Sequence, residues 1–210
     1  TAAYQVRVLG RPRDLRTIPA VIAGDPASRR SIVLAKSIPA KRAGVQTGEP
    51  LCEARRKCPD LTVERPDYAL YTEASRKLLA LLRGAAPAVE QYSIDEAYLD
   101  LSETGEARAD PVGFACALKD RIREELGFTV NIGVSTNKLL AKMAGDFQKP
   151  DRVHTLFPEE KEAKLWPLPV RELFFVGPAT ERELRYFGIR TIGDLARADP
   201  AFLRARLHRQ

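Results

Sequence analysis

The sequence predicts an α+β protein in which a mixed part with strands and helices is followed by a helical part. Two observations predict this class. Up to residue 156, short apolar runs of strand character alternate with segments whose apolar residues recur at helical spacing. From Phe157 onward, short helical stretches alternate with glycine turns. We therefore expect a small all-helical module over residues 157–210.

Composition sets broad limits on the function. The chain has 210 residues, of which 44% are hydrophobic and 30% charged, as in an ordinary globular protein. The net charge of +6 favours a polyanionic partner only weakly. No apolar run approaches the roughly 20 residues of a membrane helix, and the N-terminus lacks a signal-peptide layout, so we expect a cytoplasmic protein without a membrane partner. Reduced thiols are predicted for Cys52, Cys58 and Cys116, which form no C-x-x-C pair.

Residues 10–66 predict a small α/β unit with little core of its own. The strand candidates are short apolar runs, and the helix candidates end at Gly44 and before Pro59. The predicted elements are strands at 20–23 and 31–35, helices at 39–43 and 49–57, and a strand at 61–64.

Residues 67–156 predict longer elements. The clearest is an amphipathic helix with Pro111 at its start and Gly127 after its end. The predicted elements are helices at 68–82 (ended by Gly84), 111–126 and 138–147, and strands at 89–101, 128–134 and 153–156. This order is similar to a ferredoxin-like split βαβ unit with an antiparallel-rich mixed sheet, provided that a first strand lies at or before residue 1.

Asp95 and Glu96 are adjacent acids in an apolar-rich stretch. Neighbouring strand residues point to opposite faces, so a turn or bulge must intervene if both serve one site. Two close carboxylates repel each other unless a cation such as Mg²⁺ or Mn²⁺ lies between them, and phosphoryl transfer uses such ions. A bare Asp-Glu pair is more often an exposed acidic turn, so the flanking sequence decides between the two interpretations.

The flanking sequence SIDEAYLD, residues 93–100, resembles the signature motif of Y-family (UmuC/DinB-like) translesion DNA polymerases. A second segment, NIGVSTNKLLAKMAGDFQKP at 131–150, is also similar to that family, and Ser135 or Thr136 is expected to cap its helix. The resemblance implies that Asp95 and Glu96 are catalytic carboxylates that bind two Mg²⁺ ions, with Mn²⁺ as the alternative ion. It also implies that Lys149 contacts the triphosphate of the incoming nucleotide.

Two further segments resemble parts of the same family. Residues 31–50 are similar to the fingers segment over the nucleotide, where Ala35, Ile38 and Lys41 replace the usual Thr, Tyr and Arg. Lys41 keeps the positive charge and is a predicted nucleotide contact, and the pattern is closer to the UmuC-like branch. Residues 173–180, LFFVGPAT, resemble a thumb helix-hairpin-helix element. Backbone N–H groups there are expected to bind a DNA phosphate; the predicted DNA-binding residues are Val176, Gly177 and Ala179.

The resemblance implies a palm at 1–9 and 67–156, fingers at 10–66 and a thumb at 157–210, without the little-finger domain. The implied function is a DNA-directed DNA polymerase of the translesion class, which adds deoxynucleotides to a primer 3′-hydroxyl. The implied partners are primer–template DNA, deoxynucleoside triphosphates and a sliding clamp bound through regions outside this chain. The implied location is the cytoplasm, at the bacterial nucleoid.

Residues 3–15 resemble the stretch that includes or follows the short helix after the family's first metal-binding motif, so the resemblance implies that the acid of this motif lies before residue 1. No acid precedes Asp14 in the sequence. Two explanations stay open: the chain is a piece that lacks its N-terminal acid, which we favour, or it is a divergent member that lost the acid. The second explanation gives the alternative function, a catalytically inactive polymerase-like scaffold that binds DNA in repair. Nucleotide cyclase chemistry on a similar palm is disfavoured by the fingers and thumb segments.

Overall fold

The computed structural model describes residues 14–25, 28 and 30–207, and it confirms the α+β class. The described chain divides into two compact units. The first contains the described residues through Gly84 together with Val89–Leu99 and Glu124–Phe128, and the second contains Ala85–Ala88, Asp100–Arg123 and the residues from Thr129 onward. The predicted first strand lies outside the described residues, and the division into palm, fingers and thumb stays a prediction.

The first unit is built on a three-stranded sheet. Strand β1 (Ala20–Ala23) lies in the middle, antiparallel to β2 (Val33–Lys36) and parallel to β3 (Thr62–Glu64). All four residues of β1 are buried, as expected for a central strand. The expectation of little core was wrong, because the helices α1 (Ile38–Arg42) and α2 (Leu51–Lys57) contribute to one cluster with the sheet. Its buried members are Val21, Ala23, Val33, Ala40, Val45, Leu51, Ala54, Cys58 and Leu61.

The outer side of β2 is covered by the chain that follows α1. The backbone N–H of Val33 donates to the carbonyl of Glu49 at 2.9 Å, and the carbonyl of Val33 accepts from Gly48 at 2.7 Å. Ile32 forms an isolated antiparallel bridge with Pro50. Both backbone groups of Val33 on this side are therefore satisfied within the chain.

Helix α3 (Tyr68–Ala85) runs past the predicted stop at Gly84, so that prediction was wrong. A glycine inside a helix costs about 1 kcal/mol relative to alanine. Burial of Leu78, Leu79, Leu81 and Leu82 on the preceding turns outweighs this cost. After α3, the strands β4 (Ala88–Gln91) and β5 (Ala97–Asp100) pair with each other.

The second unit contains the helix α4 (Gly105–Ala109) and α5 (Pro111–Leu126) as far as Arg123, and the bounds predicted for α5 are confirmed. Strand β6 (Ile132–Val134) is shorter than predicted and pairs in parallel with β7 (Val153–Thr155). Helix α6 (Lys138–Asp146) connects them and crosses β6 closely. A Cβ atom on Gly133 would lie 1.9 Å from the carbonyl oxygen of Ala141 and 2.5 Å from the backbone nitrogen of Gly145. Only glycine fits at this crossing.

The cap of α6 differs from the prediction. Asn137, rather than Ser135 or Thr136, is the N-cap residue, and its side-chain oxygen accepts from the N–H of Leu140 at 2.9 Å. The hydroxyl of Ser135 donates instead to the carbonyl of Leu156. The helix begins at Lys138, as predicted, but its cap lies one residue after Thr136 and two after Ser135.

Replacing Asn137 with alanine is expected to lower the free energy of unfolding by about 1 kcal/mol, because the first turn of α6 loses an acceptor. Urea unfolding of the full-length protein would measure the change. Thr136→Ala is the control, and a change below about 0.5 kcal/mol is expected for such an exposed position. A larger loss for Thr136→Ala than for Asn137→Ala would contradict the observed cap.

The last part of the described chain is helical, as predicted. It contains α7 (Lys161–Lys164), α8 (Pro178–Tyr186), α9 (Ile192–Arg197), α10 (Pro200–Leu207) and two 3₁₀ turns at Pro158–Glu160 and Val170–Glu172. It shares a core with α6, where Leu165 and Ile192 are buried with Leu140, Met143, Ala144 and Leu156. Among the residues that the structure describes, no helix is long and apolar enough to cross a membrane.

Candidate functional site

Asp95 and Glu96 lie in the short connection between β4 and β5, which confirms the expected turn. The backbone N–H groups of Tyr92 and Ser93 both donate to the carbonyl of Glu96, at 2.9 and 3.1 Å. The rings of Tyr92 and Tyr98 meet edge to face on either side of the turn, with their centroids 5.9 Å apart. The turn is thus held by backbone hydrogen bonds that do not depend on the carboxylates.

The donor chemistry of the turn fits a divalent cation. Asp95 is exposed and Glu96 is half-buried, and the hydroxyl of Ser93 donates to Oδ1 of Asp95 at 2.9 Å. Mg²⁺ typically binds one or two protein carboxylates and completes its shell with water and substrate phosphates. Within residues 14–25, 28 and 30–207, no group of three or more His, Cys, Asp or Glu side chains lies together as a metal site. Asp95 and Glu96 are thus two carboxylates on one turn, and the metal site predicted for them stays a prediction.

Asp100 is the exposed last residue of β5. Its carboxylate accepts from the hydroxyl and from the N–H of Ser102, the latter at 2.9 Å, and these hydrogen bonds lower the pKa of Asp100. The charge of Lys138 lowers this pKa further. The carboxylate of Asp100 is thus hydrogen-bonded to the nearby residue Ser102.

Lys149 lies in the second unit, in the segment after α6. Its Nζ is 2.6 Å from Oδ1 of Asp146, while Nζ of Lys142 is 3.4 Å from Oδ2 of the same carboxylate. Burial raises the pKa of the Asp146 carboxyl, but the hydrogen bond from Lys149 and the charges of both lysines lower it by more, so the net pKa lies below its ordinary value. Asp146 thus stays ionised at neutral pH and holds Lys149, whose side chain remains 60% exposed.

Sequence reasoning missed two residues that shape this segment. Asp146 could have been found, because it stands at helical spacing from Lys142 and Lys149. Asn131 could not, because its side chain bonds to backbone groups 14 to 21 residues away. Its Nδ2 donates to the carbonyls of Gly145 and Gln148, and its Oδ1 accepts from the N–H of Arg152.

Lys41 lies in the last turn of α1, in the first unit together with Asp95 and Glu96. Its side chain is exposed, and the helix that carries it is fixed by Ser37, whose hydroxyl accepts from the N–H of Ala40 at 3.2 Å. Ile38, at the position of the family's tyrosine, is 57% exposed. The nucleotide contact predicted for Lys41 stays a prediction.

The predicted hairpin lies between the 3₁₀ turn Val170–Glu172 and α8. Val176 uses its N–H within the turn, donating to the carbonyl of Leu173 at 2.9 Å. Gly177 is the N-cap of α8, and Ala179 lies in the first turn, where N–H groups have no acceptor inside the helix. Phe175 adopts a positive φ of 72°, which usually favours glycine, and its side chain is 75% exposed.

Comparisons with known proteins agree with these features. The model of the impB/mucB/samB family (IMS) matches residues 2–146. A protein named DNA polymerase IV from Clostridium acetobutylicum is 48% identical over 198 residues, which is 94% of this chain and 50% of that protein. A second DNA polymerase IV, from Moorella thermoacetica, is 46% identical over 183 residues, which is 87% of this chain and 46% of that protein.

Solved structures of DNA polymerases are also similar to this chain. DinB from Sulfolobus solfataricus is similar with a TM-score of 0.84 and 27% identity, covering 98% of this chain and 60% of that one. An insertion ternary complex of Dbh DNA polymerase has the same TM-score and identity and covers 97% of this chain and 60% of that one. The chain thus spans about half the length of the curated relatives it matches. The closer likeness to the UmuC-like branch stays a prediction.

Proposed function

The chain belongs to the impB/mucB/samB family, and from this premise we propose that it carries the polymerase part of a translesion DNA polymerase of the Y family. Its reaction is the addition of a deoxynucleotide to the 3′-hydroxyl of a primer. Its partners are primer–template DNA, deoxynucleoside triphosphates and a sliding clamp bound through regions outside this chain. It acts in the cytoplasm, at the nucleoid. The three-part division into palm, fingers and thumb belongs to this proposal.

The single observation that carries the proposal is the pair of carboxylates on the tight turn between β4 and β5. The hydroxyl of Ser93 orients the Asp95 carboxylate, and the hydrogen bonds to the backbone carbonyl of Glu96 fix the turn that carries both acids. Two Mg²⁺ or Mn²⁺ ions, when bound, supply activation of the primer hydroxyl and neutralisation of the leaving phosphate oxygens. Asp95 and Glu96 would hold them.

The other site residues have supporting roles in this proposal. The ammonium of Lys149, held by Asp146, binds the triphosphate of the incoming nucleotide as a point charge. The nucleotide contact predicted for Lys41 also belongs to this proposal. At the hairpin, the backbone N–H groups of Gly177 and Ala179 bind a DNA phosphate, which gives contact without sequence preference. The N–H of Val176, which was also predicted to take part, is used within the turn instead. In the part of the chain that the structure describes, no feature favours the inactive scaffold.

Primer extension by the full-length gene product tests the proposal. A labelled primer on an undamaged template and on a template with an abasic site is incubated with all four deoxynucleoside triphosphates and Mg²⁺ or Mn²⁺. Extension on both templates is expected, and EDTA is expected to abolish it. Failure to extend any primer with either ion would overturn the polymerase proposal, and failure on the damaged template alone would overturn the translesion class.

Lys149→Ala is expected to raise the KM for the incoming nucleotide about ten- to a hundredfold, because a charge-assisted hydrogen bond to phosphate is lost. Single-nucleotide insertion kinetics would measure it. Lys77→Ala is a matched control: Lys77 pairs with Glu73 at 3.5 Å on α3, and its side chain is 53% exposed. A KM for Lys149→Ala equal to that of the control would contradict the phosphate role.

A further inference from the structure

Asn131 stands immediately before β6, and every hydrogen bond that the structure gives its side chain goes to one segment, residues 145–152. Nδ2 donates to the carbonyl of Gly145 at 3.1 Å and to the carbonyl of Gln148, and Oδ1 accepts from the N–H of Arg152 at 3.3 Å. An amide side chain has two N–H donors and one carbonyl acceptor, so Asn131 uses both functions at once. One side chain thereby connects the end of α6, the following loop and the entry to β7.

Other contacts restrain the same segment on either side of Lys149. The ring of His154 lies 3.3 Å, through Nε2, from the carbonyl of Gln148. The Asp151 carboxylate pairs with Arg123 at 2.7 Å and with Lys119 at 3.4 Å. The Lys149 side chain, in contrast, is mostly exposed, and its ammonium pairs with Asp146. The backbone around Lys149 is thus fixed while its charged end faces solvent.

We propose that Asn131 is a positioning residue that sets the place of Lys149, so that the lysine ammonium is already oriented when the nucleotide triphosphate arrives. This inference rests on the proposed nucleotide role of Lys149. A lysine carries substantial rotamer and backbone freedom, and ordering it on binding would weaken affinity. Asn131 and Asp146 remove part of that freedom beforehand, Asn131 by fixing the backbone and Asp146 by holding the ammonium.

The test is a double-mutant cycle on the full-length protein, with single-nucleotide insertion kinetics as the measurement. Asn131→Ala is expected to raise the KM for the nucleotide about tenfold, with kcat changed less than about twofold, since the interaction lost is one of binding and orientation. Asn131→Ser, which keeps one donor, is expected to fall between Asn131→Ala and the wild type. Because KM does not depend on the fraction of folded enzyme, a purely structural role would lower the apparent kcat instead.

The matched control is Gln148→Ala, because Gln148 takes part only through its backbone carbonyl, which this variant keeps. Its KM is expected to equal that of the wild type. In the Asn131→Ala, Lys149→Ala double variant, the KM is expected to equal that of Lys149→Ala alone, because a positioning effect disappears with the group it positions. Additive effects, or a wild-type KM for Asn131→Ala while Lys149→Ala raises it, would overturn the positioning role alone. An unchanged KM for Lys149→Ala would overturn the nucleotide role of Lys149, and the positioning role with it.

Discussion

Replacing Asp95 and Glu96 together with alanine is expected to reduce primer extension by the full-length protein at least about a thousandfold. The two carboxylates are the proposed ligands of the catalytic cations, and losing several kcal/mol of transition-state charge stabilisation reduces the rate tenfold for each ~1.4 kcal/mol. Single-turnover incorporation with Mg²⁺ measures the effect. The fold is expected to survive, because the turn is held by backbone N–H groups that donate to the Glu96 carbonyl.

Asp100→Ala is the matched control for that experiment. Asp100 is also an exposed acid of the same hairpin, but its carboxylate bonds locally to Ser102. Replacing Asp100 is expected to change the incorporation rate less than about threefold. A surface substitution outside the metal pair usually changes a free energy by no more than about 0.5 kcal/mol. Equal losses in the double variant and in Asp100→Ala would show that acidity of the hairpin in general, rather than a metal pair, is required. Wild-type incorporation by the double variant would remove both acids from the catalytic site.

Replacing Gly133 with alanine is expected to lower the free energy of unfolding by about 3 kcal/mol, at the upper end of what overpacking usually costs. The added methyl group would lie 1.9 Å from the Ala141 carbonyl oxygen, which belongs to the backbone of α6 and cannot rotate away. Either β6 or α6 must move, and the core under α6, which includes Met143 and Leu156, would be disturbed. Urea unfolding followed by circular dichroism measures the loss.

Gly145→Ala tests the same crossing from the helix side. A Cβ atom on Gly145 would lie 3.5 Å from the backbone nitrogen of Gly133, which is ordinary van der Waals contact. Because alanine favours the helix by about 1 kcal/mol over glycine, this variant is expected to be neutral or slightly more stable than the wild type. If Gly133→Ala unfolds at the same urea concentration as Gly145→Ala, the close approach of β6 to α6 is wrong.

The sequence predicted an element correctly where its start residue, stop residue and apolar stripe agree with how the element packs in the structure. Helix α5 has proline at its start, glycine after its end and an apolar stripe, and its predicted bounds are confirmed. Gly84 was predicted to end α3 because glycine disfavours a helix. Packing of the neighbouring leucines stabilises α3 enough for the helix to continue past this residue. The cap of α6 was misplaced because Ser135, Thr136 and Asn137 are all suitable caps, and only the bond from Ser135 to Leu156 excludes the first.

The candidate site shows the same division between local and distant signals. The turn at Asp95 and Glu96 followed from the need to bring two adjacent acids to one side, a local argument. The pairing of Asp146 with Lys149 is also local, at helical spacing. The role of Asn131 is not, because its partners come together only when β6 and the segment before β7 are side by side.

The covered side of β2 has a consequence for solubility. Exposed sheet edges bind the strands of other molecules and so promote aggregation, particularly when they carry apolar side chains such as those of Ile32 and Leu34. Here the N–H and carbonyl of Val33 are already bonded to Glu49 and Gly48. The bridge partner of Ile32 is Pro50, whose ring nitrogen has no hydrogen to donate to an incoming strand. Residues 48–50 therefore protect this edge of the sheet against the addition of a strand from another molecule, where the apolar side chains of Ile32 and Leu34 would otherwise promote it.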